Sequence, residues 1–413
     1  MVCGFCVCGV SAVPVIVGFK DIPSVRFDNR AAVNFKVSSP GTTGTTYTHI
    51  SDLGKIKYVY PDIHAVAAEL SDEEIAELKA NKNVRYVEPD YPVSAMAPTM
   101  PWNIRQIGAD KVQAANNTGN GVRVAVIDTG IDYLHPDLRD VYAGGYNFVN
   151  RTTDPMDDNG HGTHCAGIIA ATGSGNGIYG TAPGVRLYSV KVLDSRGDGY
   201  TSDVVEGIYW AKENNMKVAS MSLASSYDSQ AMHDAVDDAT QSGVLIVAAA
   251  GNSGEIGGAG ETITYPAQYD GVLAVAAVNR HNHRAWWSST GHELGVSAPG
   301  VNVRSTFPGA EYAILSGTSM ATPHVAGVAA LVYSAHPDWT NHQVKEKIIS
   351  TATPLGNHVL YGAGLVNATA AADVPGVQVI NSAAVSYTVS DDTGAGDDGV
   401  PFSPGRNPAE ASA

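Results

Sequence analysis

The chain is poor in charged residues, in basic residues and in cysteine, and each shortage excludes a class of protein. Only 16% of its 413 residues are charged, which is too few for a disordered polyampholyte. Lys and Arg number 25 against 41 Asp and Glu, so the formal net charge is −16 and a nucleic-acid partner is disfavoured. Four cysteines are too few for a disulfide scaffold. No apolar run reaches the ~18–20 residues of a membrane-spanning helix.

Glycine and apolar residues are abundant by contrast, with 44 glycines and 44% hydrophobic residues. This composition favours a tightly turned, well-buried α/β protein. A chain of 413 residues exceeds what one compact domain usually holds. We therefore expect two units, one of them large.

The N-terminal residues resemble a signal sequence that lacks its basic end. Residues 1–17 are apolar enough for the central part of such a signal, but no Lys or Arg precedes Lys20. We interpret residues 1–12 as the remnant of a leader and expect a secreted protein. Cys3, Cys6 and Cys8 instead hint at a metal site, although a structural zinc needs four ligands and no fourth lies nearby.

Residues 13–96 have the pattern of a small α+β domain. Strand-like runs occur at residues 13–19, 55–60, 65–70 and 84–87. A capping box that starts at Ser71 and includes Glu74 predicts a helix to Ala80. These elements predict a ferredoxin-like fold of the split βαβ type. The prolines and small residues at 94–101 then predict an exposed, cleavable linker.

Residues 97–373 have the pattern of a doubly wound, mostly parallel sheet with helices on both faces. Continuous apolar runs, typical of strands buried on both faces, occur at residues 121–127, 186–193, 218–223, 244–250 and 272–278. Helix-like stretches separate some of them, which indicates an α/β fold whose site lies beyond the carboxyl ends of the strands. Residues 374–413 predict a flexible acidic tail. A calcium-binding RTX-type repeat is the alternative, but one irregular run lacks the periodicity.

Three segments of the large domain carry residue types suited to nucleophilic catalysis. Asp128 begins an Asp-Thr-Gly motif at the end of the first parallel strand. His161 lies in Asn-Gly-His-Gly-Thr-His (residues 159–164), which opens a helix-like run. Ser319 lies in Gly-Thr-Ser-Met-Ala-Thr-Pro-His (residues 317–324), at the start of another helix. Taken singly, each is as readily explained as a turn former, a structural histidine or a helix cap.

Taken together, the three segments predict a Ser-His-Asp arrangement. A serine at a helix N-terminus has backbone amides and the positive end of the helix dipole beside its reacting oxygen. A histidine can take its proton, and a buried aspartate can hold the imidazole in the required tautomer. We therefore expect Ser319 as nucleophile, His161 as general base and acid, and Asp128 as the residue that orients His161.

The three motifs resemble the signatures of the subtilisin-type serine proteases, the subtilase family or peptidase S8. The resemblance covers roughly residues 101–372, and residues 13–96 resemble the family's inhibitory propeptide more loosely. The order Asp, His, Ser along the chain is the one already known for subtilisin. The resemblance implies a secreted, monomeric serine endopeptidase that hydrolyses polypeptides through an acyl-enzyme, with the propeptide as its intramolecular inhibitor and folding chaperone.

The resemblance also implies an oxyanion donor and a substrate cleft. Asn252 matches the family's oxyanion-hole asparagine and should donate its side-chain N–H beside the backbone N–H of Ser319. The residues that match cleft edges and the walls of the S1 pocket are Gly197, Asp198, Gly199, Ser222, Leu223, Ala224, Ala249, Ala250 and Gly251. Pairing with substrate backbone implies broad specificity, and small apolar walls favour an apolar P1 residue. The family typically has glycines where Ala224 and Ser225 stand, so the exact preference stays open.

Maturation and calcium binding are further implications of the resemblance. Aligning Pro101 with the family's mature N-terminal segment places autocatalytic cleavage near Met96-Ala97. Asp137 matches a calcium-ligand aspartate, and the matching ligand loop supplies Thr172, Ser174, Asn176 and Ile178. Two departures weaken the calcium prediction, since Ser174 replaces a side-chain amide and Pro98 replaces a glutamine ligand. Cys165 follows His164 as in the thermitase and proteinase K-like branch, where a buried structural thiol is expected.

Other functions fit the sequence less well. An α/β-hydrolase esterase needs G-x-S-x-G and the order Ser, Asp, His. A zinc enzyme using His161 and His164 lacks the H-E-x-x-H spacing and its glutamate. A nuclease built on His281 and His283 is improbable for so acidic a chain. A non-catalytic binding protein on the same fold remains open, although all four catalytic residue types are present.

Overall fold

A computed structural model of the chain describes residues 12–20, 25–28, 32–37, 46–49, 55–91, 99–174 and 177–374. The chain divides into two compact units, Met1–Ala95 and Met96–Ala413. Four features lie outside the described residues: all but the last residue of the predicted leader, the three N-terminal cysteines, the cleavage site at Met96-Ala97 and all but the first residue of the tail.

The first unit is built on a four-stranded antiparallel sheet. Its elements are β1 (Val13–Phe19), β2 (Val25–Asp28), β3 (Ala32–Val37), β4 (Thr46–His49), β5 (Lys55–Tyr60), β6 (Ala65–Leu70), α1 (Asp72–Ala80) and β7 (Val84–Pro89). The sheet order is β5-β6-β1-β7, which is the strand order of a ferredoxin-like fold. The described part of the connection from β1 to β5 holds a separate antiparallel sheet, β2-β3-β4, where that fold has its first helix.

Helix α1 closes one face of this sheet. The predicted capping box is confirmed: the Ser71 hydroxyl accepts the Glu74 N–H at 3.3 Å, and the Glu74 carboxylate accepts the Ser71 N–H at 2.6 Å. Leu78 of the helix is buried against the sheet. Val17 and Phe19 are among the sheet residues that form this core with it. Leu78 thus anchors this short helix to the sheet, and the capping box provides hydrogen-bond partners for N–H groups at the N-terminus of the helix.

The second unit contains the predicted doubly wound sheet, which is confirmed. Its strands are β8 (Arg123–Asp128), β9 (Tyr142–Asn147), β10 (Arg186–Lys191), β11 (Val218–Met221), β12 (Leu245–Ala249), β13 (Leu273–Val278) and β14 (Leu294–Pro299), followed by the hairpin β15 (Val303–Phe307) and β16 (Glu311–Leu315). Its helices are α2 (Trp102–Gln106), α3 (Ala109–Ala114), α4 (His161–Ala170), α5 (Thr201–Glu213), α6 (Gln230–Gln241), α7 (Thr318–Ala335), α8 (Asn341–Ser350), α9 (His358–Tyr361) and α10 (Ala368–Ala371).

All neighbours in the seven-stranded sheet are parallel, in the order β14-β13-β12-β11-β8-β10-β9. One face packs on a core that includes residues of α4 and α7, and the other face packs on a core that includes residues of α5 and α6. The five strands predicted from apolar runs are all present. The chain passes from one side of β8 to the other between β10 and β11, and ligands bind at such a reversal in open sheets.

The two edge strands were not predicted from the sequence. β9 includes Gly144 and Gly145 and is half-buried along most of its length, and β14 carries Gly295. Neither strand has the long apolar run of a central strand, since Gly144 and Gly145 interrupt β9, and Gly295 and Ser297 interrupt β14, although β14 is buried along most of its length. Prediction from apolar runs therefore finds the middle of this sheet better than its edges.

Candidate active site

The carboxyl end of β8 brings Asp128 to the start of α4. Asp128 is 0% exposed, and its Oδ1 accepts the Nδ1–H of His161 at 2.8 Å and the Thr129 N–H at 2.7 Å. The two elements approach closely because position 162 is glycine. A Cβ there would lie only 2.1 Å from the carbonyl oxygen of Gly130. The glycine after His161 thus permits the contact between the histidine and the aspartate.

His161 is the first residue of α4 and is buried. Burial alone would lower its pKa, but the charge and hydrogen bond of Asp128, with the charge of Asp157, more than offset that effect. The pKa of His161 is therefore raised above its ordinary value. A carboxylate only accepts hydrogen bonds, so Nδ1 carries a proton and Nε2 is the basic nitrogen of the neutral ring.

Ser319 is the second residue of α7, and its hydroxyl donates to the carbonyl of Ser222 at 3.3 Å. The carbonyl of Ser319 accepts the Ser222 hydroxyl at 2.8 Å and the Cys165 thiol at 3.5 Å. That carbonyl is available because Pro323, four residues on, has no N–H to donate to it. Pro323 is the sixth residue of α7.

Asn252 lies just beyond the end of β12, and its orientation is fixed by Thr318. Its Oδ1 accepts both the backbone N–H and the hydroxyl of Thr318, each at 3.0 Å. With Oδ1 so occupied, the amide NH₂ is the group that remains free to donate. A methyl group built on Gly317 would lie 3.6 Å from the Ser319 nitrogen and 3.7 Å from Asn252 Nδ2, so these two nitrogens flank one position.

His161, Ser319 and Asn252 line one cavity of about 480 Å³. Of the predicted cleft residues, Gly197, Asp198, Gly199, Ser222, Leu223 and Ala224 line it too. Ala249, Ala250 and Gly251 are buried at and beyond the end of β12 and are not among the described residues that line this cavity. Their assignment as a wall of the S1 pocket stays a prediction.

Sequence reasoning missed a second group of residues that line this cavity. They are Leu193, Tyr200, Thr201, Val204, Ser225, Ser226, Tyr227 and Met232. Val204 lies in the first turns of α5, and Met232 lies in the first turn of α6. The position of these two residues in the chain could have identified them, because the helices that follow β10 and β11 must begin near the edge of the sheet at which those strands end.

The residues predicted to hold calcium meet around Asp137, which is 0% exposed. Its Oδ2 accepts the Ile178 N–H and the Tyr312 hydroxyl, each at 2.9 Å, and its carbonyl accepts the Thr172 N–H at 3.0 Å. The Thr172 and Ser174 hydroxyls are 3.0 Å apart. Asn176 lies outside the described residues, and Tyr312 was not predicted.

The second oxygen of Asp137, Oδ1, is buried and has no hydrogen-bond partner among the residues that the structure describes. A buried carboxylate oxygen left in this way is costly unless a cation compensates it. The neighbouring groups offer carbonyl, hydroxyl and carboxylate oxygens, which are the ligands calcium prefers. The donor set therefore fits a calcium ion.

The other two histidines of the motifs, His164 and His324, do not line the cavity. His164 Nε2–H donates to the carbonyls of Val303 and Ala313, each at 3.1 Å, and burial lowers its pKa to about 3. His324 Nδ1–H donates to the Met320 carbonyl, and burial lowers its pKa to about 4. His161 and His164 therefore have different partners and do not form a shared zinc site.

Cys165 is buried beneath the active site, as its position after His164 predicted. Burial raises the pKa of its thiol well above the usual value. The thiol is therefore protonated at neutral pH and acts as a small buried side chain. Its hydrogen bond to the Ser319 carbonyl ties α4 to α7.

Comparison with known proteins agrees with this geometry. The model of the subtilase family, Peptidase S8, matches residues 119–365, and the model of the peptidase inhibitor I9 matches residues 15–96. The chain belongs to the subtilase family. It is 49% identical to subtilisin E of Bacillus subtilis (strain 168) over 320 residues, which are 77% of this chain and 83% of that protein.

Two further relatives are proteases of other organisms. The thermostable alkaline protease of Halalkalibacterium halodurans is 48% identical over 309 residues, 75% of this chain and 83% of the relative. The M-protease of Shouchella clausii (strain KSM-K16) is 47% identical over 317 residues, 77% of this chain and 81% of the relative. The chain is thus a serine endopeptidase with an I9 propeptide that is removed on maturation. Of the helices among the described residues, none is both long and apolar enough to cross a bilayer.

Proposed function

We propose that this subtilase cleaves polypeptides with Ser319, His161 and Asp128 as its catalytic triad and Asn252 as an oxyanion donor. One observation carries the assignment: the 2.8 Å bond between His161 and a fully buried Asp128 lies beside a cavity that His161, Ser319 and Asn252 all line. A buried acid hydrogen-bonded to a base, with a hydroxyl lining the same cavity as that base, supplies the groups that nucleophilic catalysis requires.

The reaction follows from the roles of these groups. The Ser319 hydroxyl attacks the peptide carbonyl as His161 Nε2 takes its proton, and the imidazolium so formed is stabilised by Asp128. His161 then protonates the leaving amine, which gives an acyl-enzyme. Water activated by the same histidine hydrolyses that ester. The Asn252 amide and the Ser319 N–H stabilise the oxyanion at the position they flank.

Substrate preference follows from the cavity walls. Gly197–Gly199 and Ser222–Ala224 offer backbone on two sides of the cavity, which suits an extended peptide of varied sequence. Leu193, Val204 and Met232 add apolar surface. We infer broad specificity with a preference for apolar P1 residues, and the methyl group of Ala224 should narrow the site relative to a glycine.

Maturation is proposed to be autocatalytic, with cleavage near Met96-Ala97 and the propeptide acting as chaperone and inhibitor. Support comes from the I9 match, which ends at residue 96, and from the apolar residue at the proposed P1 position. N-terminal sequencing of the processed protein tests this. A start outside about residues 94–101 would contradict the assigned boundary.

Calcium is proposed to bind at Asp137, with Thr172, Ser174, Asn176 and Ile178 as neighbours in the ligand loop. The support is the buried Oδ1 of Asp137, which has no partner in the described part of the chain, and the oxygen groups around it. A bound ion would supply the missing positive charge beside this carboxylate. We further propose that the enzyme is secreted and monomeric.

Covalent labelling tests the catalytic assignment. A fluorophosphonate should label the processed protein, and the Ser319→Ala variant should remain unlabelled and unprocessed. Ser316→Ala, which changes a serine close by in the chain outside the proposed triad, is the matched control and should label normally. Labelling that persists in Ser319→Ala, or none in processed wild-type protein, would overturn the assignment and favour the non-catalytic alternative.

A further inference from the structure

A second buried carboxylate, Asp157, lies four residues before His161. It is 6% exposed, and five donor contacts converge on its two oxygens. Oδ1 accepts the Thr129 hydroxyl at 2.9 Å and the backbone N–H groups of Asn159 at 3.0 Å and Gly160 at 2.9 Å. Oδ2 accepts the Thr163 N–H at 2.9 Å and its hydroxyl at 2.5 Å.

These bonds hold both sides of the Asp128–His161 pair. Thr129 directly follows Asp128, while Gly160 and Thr163 bracket His161 in the first turn of α4. The Thr129 hydroxyl also accepts the Gly162 N–H at 2.8 Å. Asp157 therefore fixes the end of β8 against the helix that carries the histidine, and the 2.8 Å bond between them depends on that placement.

The donors to Asp157 are all neutral hydroxyl and amide groups, so its negative charge is stabilised without being cancelled. Several ionisable groups face His161 from the elements packed on it. Asp128 lies at the end of β8, Asp157 lies in the loop before α4, and His164 and Cys165 lie in α4 itself. From β10, the Lys191 ammonium is bonded to the Thr129 carbonyl and to Asp158, each at 2.6 Å.

We propose that Asp157 is a positioning residue that acts through His161, holding its ring against Asp128 and favouring the imidazolium that forms during the reaction. Its charge is among the causes that raise the pKa of His161. The inference rests on the proposed catalytic role of His161. Asp157 itself precedes the motif at residues 159–164 and does not line the cavity, which it reaches only through the Thr129 hydroxyl.

Substitutions that separate charge from shape test this role. Asp157→Asn keeps the size and removes the charge, so the acid limb of the pH profile of kcat/KM should move to lower pH by roughly half a unit or more. The kcat value should fall about tenfold or more because the ring is less well held, with little change in KM. Asp157→Glu keeps the charge but misplaces it, so kcat should fall while the acid limb stays near that of the wild type.

Asp158→Asn is the matched control, because Asp158 is the adjacent aspartate, is 50% exposed and is paired with Lys191. It should shift the acid limb much less than Asp157→Asn. A folded Asp157→Asn enzyme with an unmoved acid limb would overturn the proposal. If Asp157→Asn does not fold, an Asp157→Glu enzyme with wild-type kcat would overturn the positioning role.

A measurement without turnover separates this proposal from the catalytic assignment. The imidazole of His161 is titrated by NMR in Ser319→Ala protein, with and without Asp157→Asn. A lower pKa in the double variant supports the role of Asp157 even if Ser319 proves not to be the nucleophile. An equal pKa in the two proteins contradicts it even if Ser319-dependent labelling is observed.

Discussion

Two regions of the catalytic unit each contain an aspartate that is 0% exposed and has one oxygen that no described residue hydrogen-bonds. At Asp128 the other oxygen holds His161, a group that becomes positively charged during the reaction. At Asp137 the other oxygen holds the neutral Tyr312 hydroxyl and Ile178 N–H. The difference matches the two proposed roles, in which Asp128 stabilises the imidazolium that forms on His161 and Asp137 binds a calcium ion from solution.

Replacement of the aspartate by asparagine should affect a different quantity at each site: kcat at Asp128 and thermal stability at Asp137. Asp128→Asn should lower kcat by about 10⁴-fold with little change in thermal stability, since it removes the stabilisation of the imidazolium. That magnitude is taken over from subtilisin, in which this aspartate has been replaced. Steady-state kinetics on protein matured in trans measure it. A loss below tenfold would remove the distinction between the two aspartates.

Gly317→Ala should lower kcat. The new methyl lies within 4 Å of the Ser319 nitrogen and Asn252 Nδ2, where it would occupy the space of the oxyanion. We expect kcat to fall by about 10²-fold, comparable to the loss of one oxyanion donor, whose worked example is again subtilisin. Gly309→Ala, where an added Cβ meets nothing within 4 Å, is the control for an alanine at an exposed glycine. Equal kcat values for the two variants would contradict the assigned oxyanion position.

Asp137→Asn should affect stability and leave kcat within about twofold. Calcium raises the melting temperature of a protein that binds it only when folded. We expect added calcium to raise the melting temperature of wild-type protein in the inactive Ser319→Ala background, and chelator to reverse the increase. The Asp137→Asn protein should respond to neither. An unchanged melting temperature with chelator would exclude this calcium site.

Acid should destabilise the fold through two buried histidines, the smallest of the expected effects. His164 and His324 have pKa values of about 3 and about 4 in the native state, against an ordinary value of 6.5. As the pH falls below 6.5, the unfolded chain therefore binds protons that the native state does not, and the free energy of unfolding decreases; the contribution of His324 ends near pH 4 and that of His164 near pH 3. His161 has the opposite sign, because its raised pKa stabilises the fold at low pH.

Unfolding measured from pH 7 to 4 in the Ser319→Ala background checks this expectation. A His324→Gln variant should lose part of the pH dependence, whereas replacement of the exposed His358 should not. A free energy of unfolding that is flat across the window would mean that the two buried rings are not neutral in the folded protein.

The sequence predicted the reacting groups better than it predicted what supports them. Asp128, His161 and Ser319 stand in glycine-containing motifs at strand or helix ends, where local sequence determines geometry. Tyr312 contacts Asp137 across 175 residues of chain, and no local pattern marks such a partner. Met232 is missed for the same reason, since an amphipathic helix shows its apolar face without showing which cavity that face closes.

The parallel register of the large sheet has a consequence for how the protein reaches its structure. Each of its strand pairs joins segments separated by a crossover, so few stabilising contacts form before long stretches of chain have been brought together. Domains of such high contact order fold slowly. We expect a high kinetic barrier to both folding and unfolding. The barrier to folding would explain the proposed chaperone role of the propeptide, and the barrier to unfolding would delay the opening of the mature enzyme. For an enzyme that can digest any unfolded copy of itself, a slow unfolding rate determines its working lifetime.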